Sequence, residues 1–311
     1  MRGGVIAPCT EPRLTNAGRD QAEGLRRLRV QDAARIVTVA SGSAGAGKTI
    51  TVINLAASLA RSGKNVLVID ENAGACNICA TLELIAHRDL LDVIRRDKAL
   101  DEVLVSAKEG FEILPAGRGM RVLDKLSPGD EAHLIGCFAH IAQPMDVVLI
   151  DSAAGRSSRL LALDFAGHEI LVVLPPDPAS ITSAYSLIKH VHHYHAGKRQ
   201  FHILINKTSV EREAEMVFEN MAGAAGRYLG ISLAFTGFIP ADGKLGRGQA
   251  VAQAFPEGPS AAAFRGVAES LTKWPCQEGE SRRLERFVQR LLQSNHGSHD
   301  DRASAMVAGL G

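Results

Sequence analysis

Residues 42–49 constrain the fold of this chain more than any other segment, because they read Gly-Ser-Ala-Gly-Ala-Gly-Lys-Thr. This G-x-x-x-x-G-K-[ST] pattern follows the apolar segment 35–40 and precedes a segment of helical period that runs to Ser62. Such a strand–loop–helix context distinguishes a phosphate-binding loop from an ordinary glycine-rich turn. The glycines let the backbone curl, so that successive N–H groups and the helix N-terminus face phosphate oxygens. The sequence therefore predicts a nucleoside triphosphate site.

The two last residues of this phosphate loop have the most specific roles. We expect Lys48 to neutralise the β- and γ-phosphates and the Thr49 hydroxyl to ligate Mg²⁺. The full set of loop residues predicted to bind the nucleotide is Gly42, Ser43, Ala44, Gly45, Ala46, Gly47, Lys48 and Thr49.

Two aspartates follow apolar runs that have the character of buried strands. Asp151 comes directly after Val147–Ile150, and Asp70 ends the segment NVLVID. Because strand ends of a parallel sheet meet at one edge, these carboxylates are expected beside the phosphate loop. We predict that Asp151 and Thr49 together hold the magnesium ion. Either aspartate alone is also compatible with a helix cap.

Short β-branched runs alternate with helix-period segments from Arg35 onward. Runs such as VVLI and ILVVL are apolar throughout, which is typical of strands covered on both faces. The alternation predicts an α/β fold with a doubly wound, mostly parallel sheet and helices on both faces. The predicted strands are Ile36–Ala40, Asn65–Asp70, Phe111–Leu114, Asp146–Asp151, Ile170–Leu174, His202–Asn206 and Gly237–Pro240.

The chain divides into one predicted domain with two appendages. Residues 1–34 form a polar N-terminal segment, residues 35–274 the nucleotide-binding domain, and residues 275–311 a polar C-terminal tail. The 311 residues, 46% of them hydrophobic, are enough to bury a large core.

Charge and cysteine content restrict the setting in which the chain works. The 35 Lys and Arg nearly balance the 34 Asp and Glu, so no global charge favours nucleic acid, and no sequence-specific nucleic-acid partner is expected. Five scattered cysteines suit a reducing compartment. No apolar run has the length of a membrane span or a signal peptide. These features indicate a cytosolic protein.

Several motifs occur in an order that resembles the MinD/ParA-type ATPases. They are GSAGAGKT, VIDENAGACN, LIDSAAG, LPPDPASITSAYSLIK, INK and GFIPAD, spread over residues 35 to about 270. Within that family, residues 178–185 (PASITSAY) and 20–26 (DQAEGLR) are most similar to the flagellar-number regulators of the FlhG/FleN group. The resemblance implies the SIMIBI/MinD-like P-loop fold, binding of ATP and Mg²⁺, and an ATP-dependent homodimer.

The resemblance also implies a base pocket. It puts Asn206 near the adenine edge, and it puts Pro240 and Asp242 on the other side of the base. From the residues alone, Asn206 ends an apolar strand at the carboxyl edge, where an amide can both donate and accept. A strand-terminating turn is the competing interpretation of Asn206.

Two motifs depart from the family pattern in ways that affect hydrolysis. The family loop begins G-K-G-G, and its first lysine reaches the partner's phosphates, whereas this chain has Ser43 and Ala44. The family's D-x-D motif is here Asp70-Glu71-Asn72, so an amide replaces the carboxylate that positions the attacking water. The predicted catalytic group is therefore Lys48, Asp70, Asn72 and Asp151.

These departures predict retained ATP binding, slow hydrolysis and weaker dimerisation. A cation supplied in trans is worth about 10³–10⁵ in rate. An amide orients water but does not take its proton at neutral pH. The alternative is that another basic residue, with Arg156 one candidate, replaces the missing charge.

The N-terminal segment contains a short helical candidate over residues 20–28. Ala22, Leu25 and Leu28 recur at helical spacing, and so short a helix is marginal alone. It suits a segment that folds on a partner, although docking on its own domain is the alternative. The resemblance implies that the partner is the signal-recognition-type GTPase FlhF, with Gln21 the key side chain. The predicted partner-binding residues are Asp20, Gln21, Ala22, Leu25 and Arg26.

The C-terminal tail contains a basic amphipathic helix, predicted over residues 281–293. Its apolar residues fall at i, i+3, i+4, i+7 and i+8, and arginines occupy the remaining turns. Such a helix can lie on an anionic membrane surface, as the resemblance also implies, or it can cover the domain's own core. The predicted membrane-binding residues are Arg283, Leu284, Arg286, Phe287, Val288, Leu291 and Leu292.

The function that the resemblance implies is an ATP-dependent switch that regulates flagellar number or placement. It is expected in the cytoplasm and, reversibly, at the inner face of the cell membrane. A flagellar transcription activator or switch-complex proteins are further candidate partners. Three alternatives stay open: a ParA-type DNA-segregation ATPase, a septum-positioning MinD, and a nucleotide-gated scaffold that does not hydrolyse ATP.

Overall fold

The computed structural model describes residues 34–74, 77–141, 144–153, 168–194, 200–208, 210–245, 250, 256–274, 284, 287–289, 291 and 292. All of them belong to one compact unit that begins at Ala34. The predicted helix over residues 20–28 lies outside the described residues. So do Arg156, Arg283 and Arg286.

The described residues form one eight-stranded sheet in the order β3-β4-β2-β5-β1-β6-β7-β8. Every neighbouring pair is parallel except β3 with β4, which is antiparallel. The strands are β1 (Arg35–Ala40), β2 (Val66–Asp70), β3 (Val105–Ser106), β4 (Glu112–Pro115), β5 (Val147–Asp151), β6 (His168–Leu174), β7 (Gln200–Asn206) and β8 (Leu233–Ile239). The predicted doubly wound α/β fold is confirmed.

Helices cover both faces of this sheet. They are α1 (Lys48–Arg61), α2 (Ile78–Thr81), α3 (Leu90–Ile94), α4 (Pro128–Ala139), α5 (Pro178–Tyr194), α6 (Glu211–Leu229) and α7 (Pro259–Lys273). On one face, α1 and α7 pack together over the strands through residues such as Leu55 and Phe264. On the other face, α3 and α4 cover one half of the sheet and α5 and α6 the other half.

The central strands form where consecutive residues are apolar, so that both faces of each strand can be buried. All five residues of β2 and of β5 are buried, as expected for central parallel strands. Two of the helices begin at side-chain caps of the usual kind: the Ser127 Oγ accepts from the Asp130 N–H at the start of α4, and the Asp89 carboxylate accepts from the Leu91 N–H at the start of α3. These local choices agree with the layered packing.

The described residues of the C-terminal segment pack apolar side chains against the domain. Residues 284, 287–289, 291 and 292 are helical, and Phe287 and Leu292 are each 1% exposed. Leu284, Val288 and Leu291 are buried with them, in the cluster that includes residues of α3, α4 and the sheet. In this conformation Leu284, Phe287, Val288, Leu291 and Leu292 therefore face the domain's own core, and their membrane binding stays a prediction. Covering the domain's own core, the alternative that the amphipathic pattern left open, is what the apolar face does.

No helix among the described residues is long and apolar enough to cross a membrane.

Candidate nucleotide site

Strand register brings the two predicted aspartates side by side. In the β2–β5 pair, Asp70 lies directly opposite Asp151, and in the β1–β5 pair Asp151 lies opposite Val39. The chain then leaves β1 into the phosphate loop, so the loop and both carboxylates share the carboxyl edge of the sheet. The loop and the two carboxylates lie close together because the three central strands β2, β5 and β1 are parallel neighbours.

Asp151 is held by the last two residues of the phosphate loop. Lys48 Nζ lies 2.6 Å from Asp151 Oδ1, and the Thr49 hydroxyl donates to Asp151 Oδ2 at 2.8 Å. The Lys48 side chain is 8% exposed and that of Asp151 is fully buried. The structure brings together the lysine, hydroxyl and carboxylate that the sequence assigned to phosphate and magnesium binding.

Asn72 joins this group by donating to both aspartates. Its Nδ2 lies 3.0 Å from Asp70 Oδ1 and 3.0 Å from Asp151 Oδ2. The other oxygen of Asp70, Oδ2, accepts from the Ile78 N–H at 2.7 Å, which ties the strand end to the start of α2. The predicted catalytic residues therefore form one connected cluster, with Asn72 as its bridge.

The electrostatics of the cluster favour an additional cation. Burial and the neighbouring Asp151 raise the pKa of Asp70 to about 6. Burial also raises the pKa of Asp151, against the opposing effect of Lys48. Two buried carboxylates face one lysine, and hard oxygen donors of this kind suit Mg²⁺. Thr49 and Asp151 are thus fit to hold the magnesium ion of a bound nucleotide.

Glu71 is a further acidic residue that sequence reasoning did not select. It is 7% exposed, and its Oε2 accepts from the Ala153 N–H at 2.7 Å. The bond links the end of β2 to the segment that follows Asp151. The sequence placed Glu71 inside the motif, but only the fold shows which backbone group it contacts.

The phosphate loop depends on glycine at particular positions. Gly45 and Gly47 have φ values of +77° and +89°, which other residues rarely adopt. A Cβ at Gly42 would lie 2.2 Å from the Ser183 carbonyl carbon, so α5 packs directly on the loop. The Ser43 Oγ lies 3.4 Å from Ser180 Oγ of the same helix. Position 43 is thus in contact with its own chain.

The residues predicted to surround the base also make contacts within the protein. Asn206 ends β7 as expected, but its Nδ2 donates to the Ala46 carbonyl at 2.8 Å and so fixes the phosphate loop. Asp242 accepts from the Lys244 N–H and from the Ser260 hydroxyl, both at 2.9 Å. Its carboxylate therefore joins the segment after β8, where Pro240 also lies, to the start of α7.

Comparison with known sequences identifies a family and two relatives of this chain. A family model described as "AAA domain" matches residues 34–203. The antiactivator FleN of Pseudomonas aeruginosa is 34% identical over 263 residues, which are 83% of this chain and 94% of that protein. The flagellum site-determining protein YlxH of Helicobacter pylori is 24% identical over 60% of this chain and 63% of its own length.

Among solved structures, a septum site-determining protein MinD from Pyrococcus horikoshii, complexed with Mg-ADP, has the same fold. It superposes with a TM-score of 0.58 at 21% identity, over 77% of this chain and 96% of that one. This likeness bears on the fold, while the sequence matches bear on the family.

Proposed function

Because the chain belongs to the MinD/ParA-type P-loop ATPases of the AAA-domain family, we propose that it is an ATP-dependent switch that controls flagellar number or placement. The observation that carries the nucleotide part is the joint hold of Lys48 and Thr49 on the buried Asp151. The flagellar part is supported by the likeness to FleN over most of both chains.

The chain's own residues suit Mg-ATP. Loop N–H groups and Lys48 bind the phosphates, while Thr49 and Asp151 hold the metal. A bound magnesium ion would supply charge neutralisation to the phosphates. On binding, Lys48 exchanges its contact with Asp151 for phosphate oxygens, since both are anionic partners of the same ammonium group.

We propose that hydrolysis is slow. Asn72 stands among the carboxylates as a hydrogen-bond donor, so it cannot serve as a proton acceptor there. Ser43 contributes no charge to a partner subunit, and its hydroxyl lies against α5 of its own chain. Both features weaken stabilisation of the transition state without removing the binding site.

The switch itself is proposed to act through residues 70–80. This segment carries Asp70 and Asn72 and leads into α2, so a γ-phosphate can hold it in one state. The surface beside it then dimerises or selects a partner. Candidates are a flagellar transcription activator, as the antiactivator name of the relative suggests, or switch-complex proteins.

Two appendages complete the proposal. Residues 20–26, with Gln21 central, stimulate an FlhF-type GTPase. The C-terminal helix associates reversibly with anionic membrane when ATP is bound. Since its apolar face is covered in the conformation described above, membrane binding requires the helix to leave the core.

Steady-state ATP turnover of the purified protein tests the proposal most directly, with and without anionic vesicles and with Lys48→Ala as the blank. Turnover above the blank that rises with vesicles supports a membrane-cycling switch. Bound ATP without turnover favours the nucleotide-gated scaffold, for which the bridging Asn72 is the specific argument. Light scattering with ATP measures the dimer, and flagellar counts in a deletion strain test the cellular role.

A further inference from the structure

Lys207 is a charged residue at the nucleotide site to which neither the motif pattern nor the proposed function gives a role. It follows Asn206 at the end of β7, and its Nζ donates to the carbonyl oxygen of Gly45 at 2.7 Å. Asn206 makes the neighbouring bond to Ala46. Two consecutive residues at the end of one strand thus donate hydrogen bonds to two consecutive carbonyls of the phosphate loop, about 160 positions away in sequence.

The path of the Lys207 side chain runs across the loop. A Cβ on Gly47 would lie 3.8 Å from Lys207 Cε and 2.2 Å from Asn206 Nδ2. The glycine that begins α1 is therefore required for its positive φ and also because these two side chains occupy the adjacent space. The Lys207 side chain therefore lies against the phosphate loop at Gly45 and Gly47.

The backbone of Lys207 is held in an unfavourable conformation to allow this contact. Its φ is +64°, in the left-handed region that a residue with a side chain seldom adopts. Conformations of this kind persist where the surroundings impose them, and they concentrate at functional sites. The Lys207 N–H bonds to Asn206 Oδ1 at 3.0 Å, so the amide of Asn206 stabilises both the loop and the turn of Lys207.

The charge of Lys207 matters because the loop has few cations of its own. Lys48 is the lysine inside the loop, and its ammonium is paired with Asp151. Position 43 is a serine. The Lys207 ammonium is exposed and makes a charge-assisted hydrogen bond to the neutral carbonyl of Gly45.

We infer that Lys207 is a positioning residue for nucleotide binding. Its hydrogen bond to the Gly45 carbonyl, called the strap below, holds the phosphate loop in the conformation that binds nucleotide. This inference rests on the proposed nucleotide site. Because the strap acts on the loop and not on the terminal phosphate, ATP and ADP should depend on it equally. Its loss should weaken both without changing the chemistry of the bound nucleotide.

Isothermal titration calorimetry of Mg-ATP and Mg-ADP on the full chain tests the inference. Lys207→Met keeps the length of the side chain and removes the ammonium, and it should weaken both nucleotides by the same factor of about five. Lys207→Arg should retain most of the affinity. Lys64→Met, an exposed lysine between α1 and β2, makes the same change of charge elsewhere and should bind as the wild type does.

A glycine variant separates positioning from general stability. Lys207→Gly relieves the positive φ, so its melting temperature without nucleotide should stay the same or rise while its affinity falls. Wild-type affinity in Lys207→Met would overturn the inference, as would a loss confined to ATP, which would place the ammonium on the γ-phosphate. Failure of the wild type to bind any nucleotide would instead overturn the proposed function.

Discussion

Two buried ion pairs lie at opposite ends of the same sheet, and they serve different purposes. At the carboxyl edge, Lys48 and Asp151 are 2.6 Å apart. Near the start of β1, Arg35 and Glu169 are 2.7 Å apart, and Arg35 also donates to the carbonyl of Trp274. Both pairs are nearly removed from solvent, so burial alone does not distinguish a functional pair from a structural one.

The difference lies in the charges around each pair. Lys48 shares its surroundings with a second buried carboxylate, Asp70, and with the Asn72 amide that bridges the two acids. Arg35 contacts both oxygens of Glu169 in a bidentate arrangement, which satisfies the carboxylate within the pair. The excess of negative charge beside Lys48 therefore distinguishes the ligand-binding pair from the structural one.

Removing Lys48 should have the largest effect on function. Lys48→Ala should lower ATP turnover about 100- to 1,000-fold, since the phosphates lose their main cationic partner. The loss of thermal stability in this variant should be partly reversed by millimolar Mg²⁺, because a cation can replace the ammonium beside Asp151. A variant that still turns over ATP at the wild-type rate would show that another cation carries the chemistry.

Removing Arg35 should instead damage the fold. Arg35→Met leaves the Glu169 carboxylate buried without its partner, and the free energy of unfolding should fall by about 3 kcal/mol in urea titrations. Turnover per folded molecule should stay within about twofold of the wild type, and Mg²⁺ should not rescue stability. Lys98→Met, which breaks the exposed pair with Glu102, is the control and should hardly change the unfolding curve.

Substitution of Asn72 by aspartate would increase the excess of negative charge at the nucleotide site. Asn72→Asp replaces a shared donor with a third carboxylate, so the nucleotide-free protein should lose about 2 kcal/mol of unfolding free energy. Turnover should rise about tenfold, because the new carboxylate can accept a proton. Asn77→Asp adds the same charge at the exposed cap of α2 and should do neither. A less active Asn72→Asp would mean that the amide itself is needed for hydrolysis.

The end of the sheet that carries the Arg35–Glu169 pair should also make the free energy of unfolding depend on pH, with a smaller effect. Burial, together with the Arg35 guanidinium, lowers the pKa of His202 to about 4. Because the unfolded chain binds this proton first, the stability that the neutral imidazole provides should be lost as the pH falls from about 6.5 towards 4, by about 2 kcal/mol in all.

His202→Leu should flatten this part of the pH dependence, measured by urea unfolding at several pH values. His87→Gln, which changes an exposed histidine, should leave the slope as it is. An unchanged slope in His202→Leu would assign the acid sensitivity to other groups.

Much of the fold could be predicted from the sequence because the central strands are apolar on both faces. The prediction Ile36–Ala40 misses one residue of β1, and Ile170–Leu174 misses two of β6. The two-residue strand β3 was missed, since only its pairing with Glu112 and Ile113 defines it. For β8 only the last part was predicted, because Leu233–Thr236 lie at an exposed sheet edge and lack a continuous apolar signal.

The site was predictable where the loop motif identifies residues and where a strand-end position places a carboxylate at the same edge of the sheet. Lys48, Thr49 and Asp151 lie as expected relative to one another. The bridging role of Asn72 and the hold of Asn206 on the Ala46 carbonyl depend on contacts between distant strand ends, which no local pattern encodes. For the same reason the sequence did not distinguish a membrane-facing Phe287 from a buried one.

The stacked rings of His202 and Trp274 give the molecule an optical reporter of its own. Their centroids are 3.4 Å apart and their planes differ by 7°, and Trp274 is the single tryptophan of the chain. Tryptophan fluorescence, excited selectively from that of the three tyrosines, therefore reports on this corner of the domain. An emission change on adding ATP would show that events at the phosphate loop reach the far end of the sheet, with no label attached.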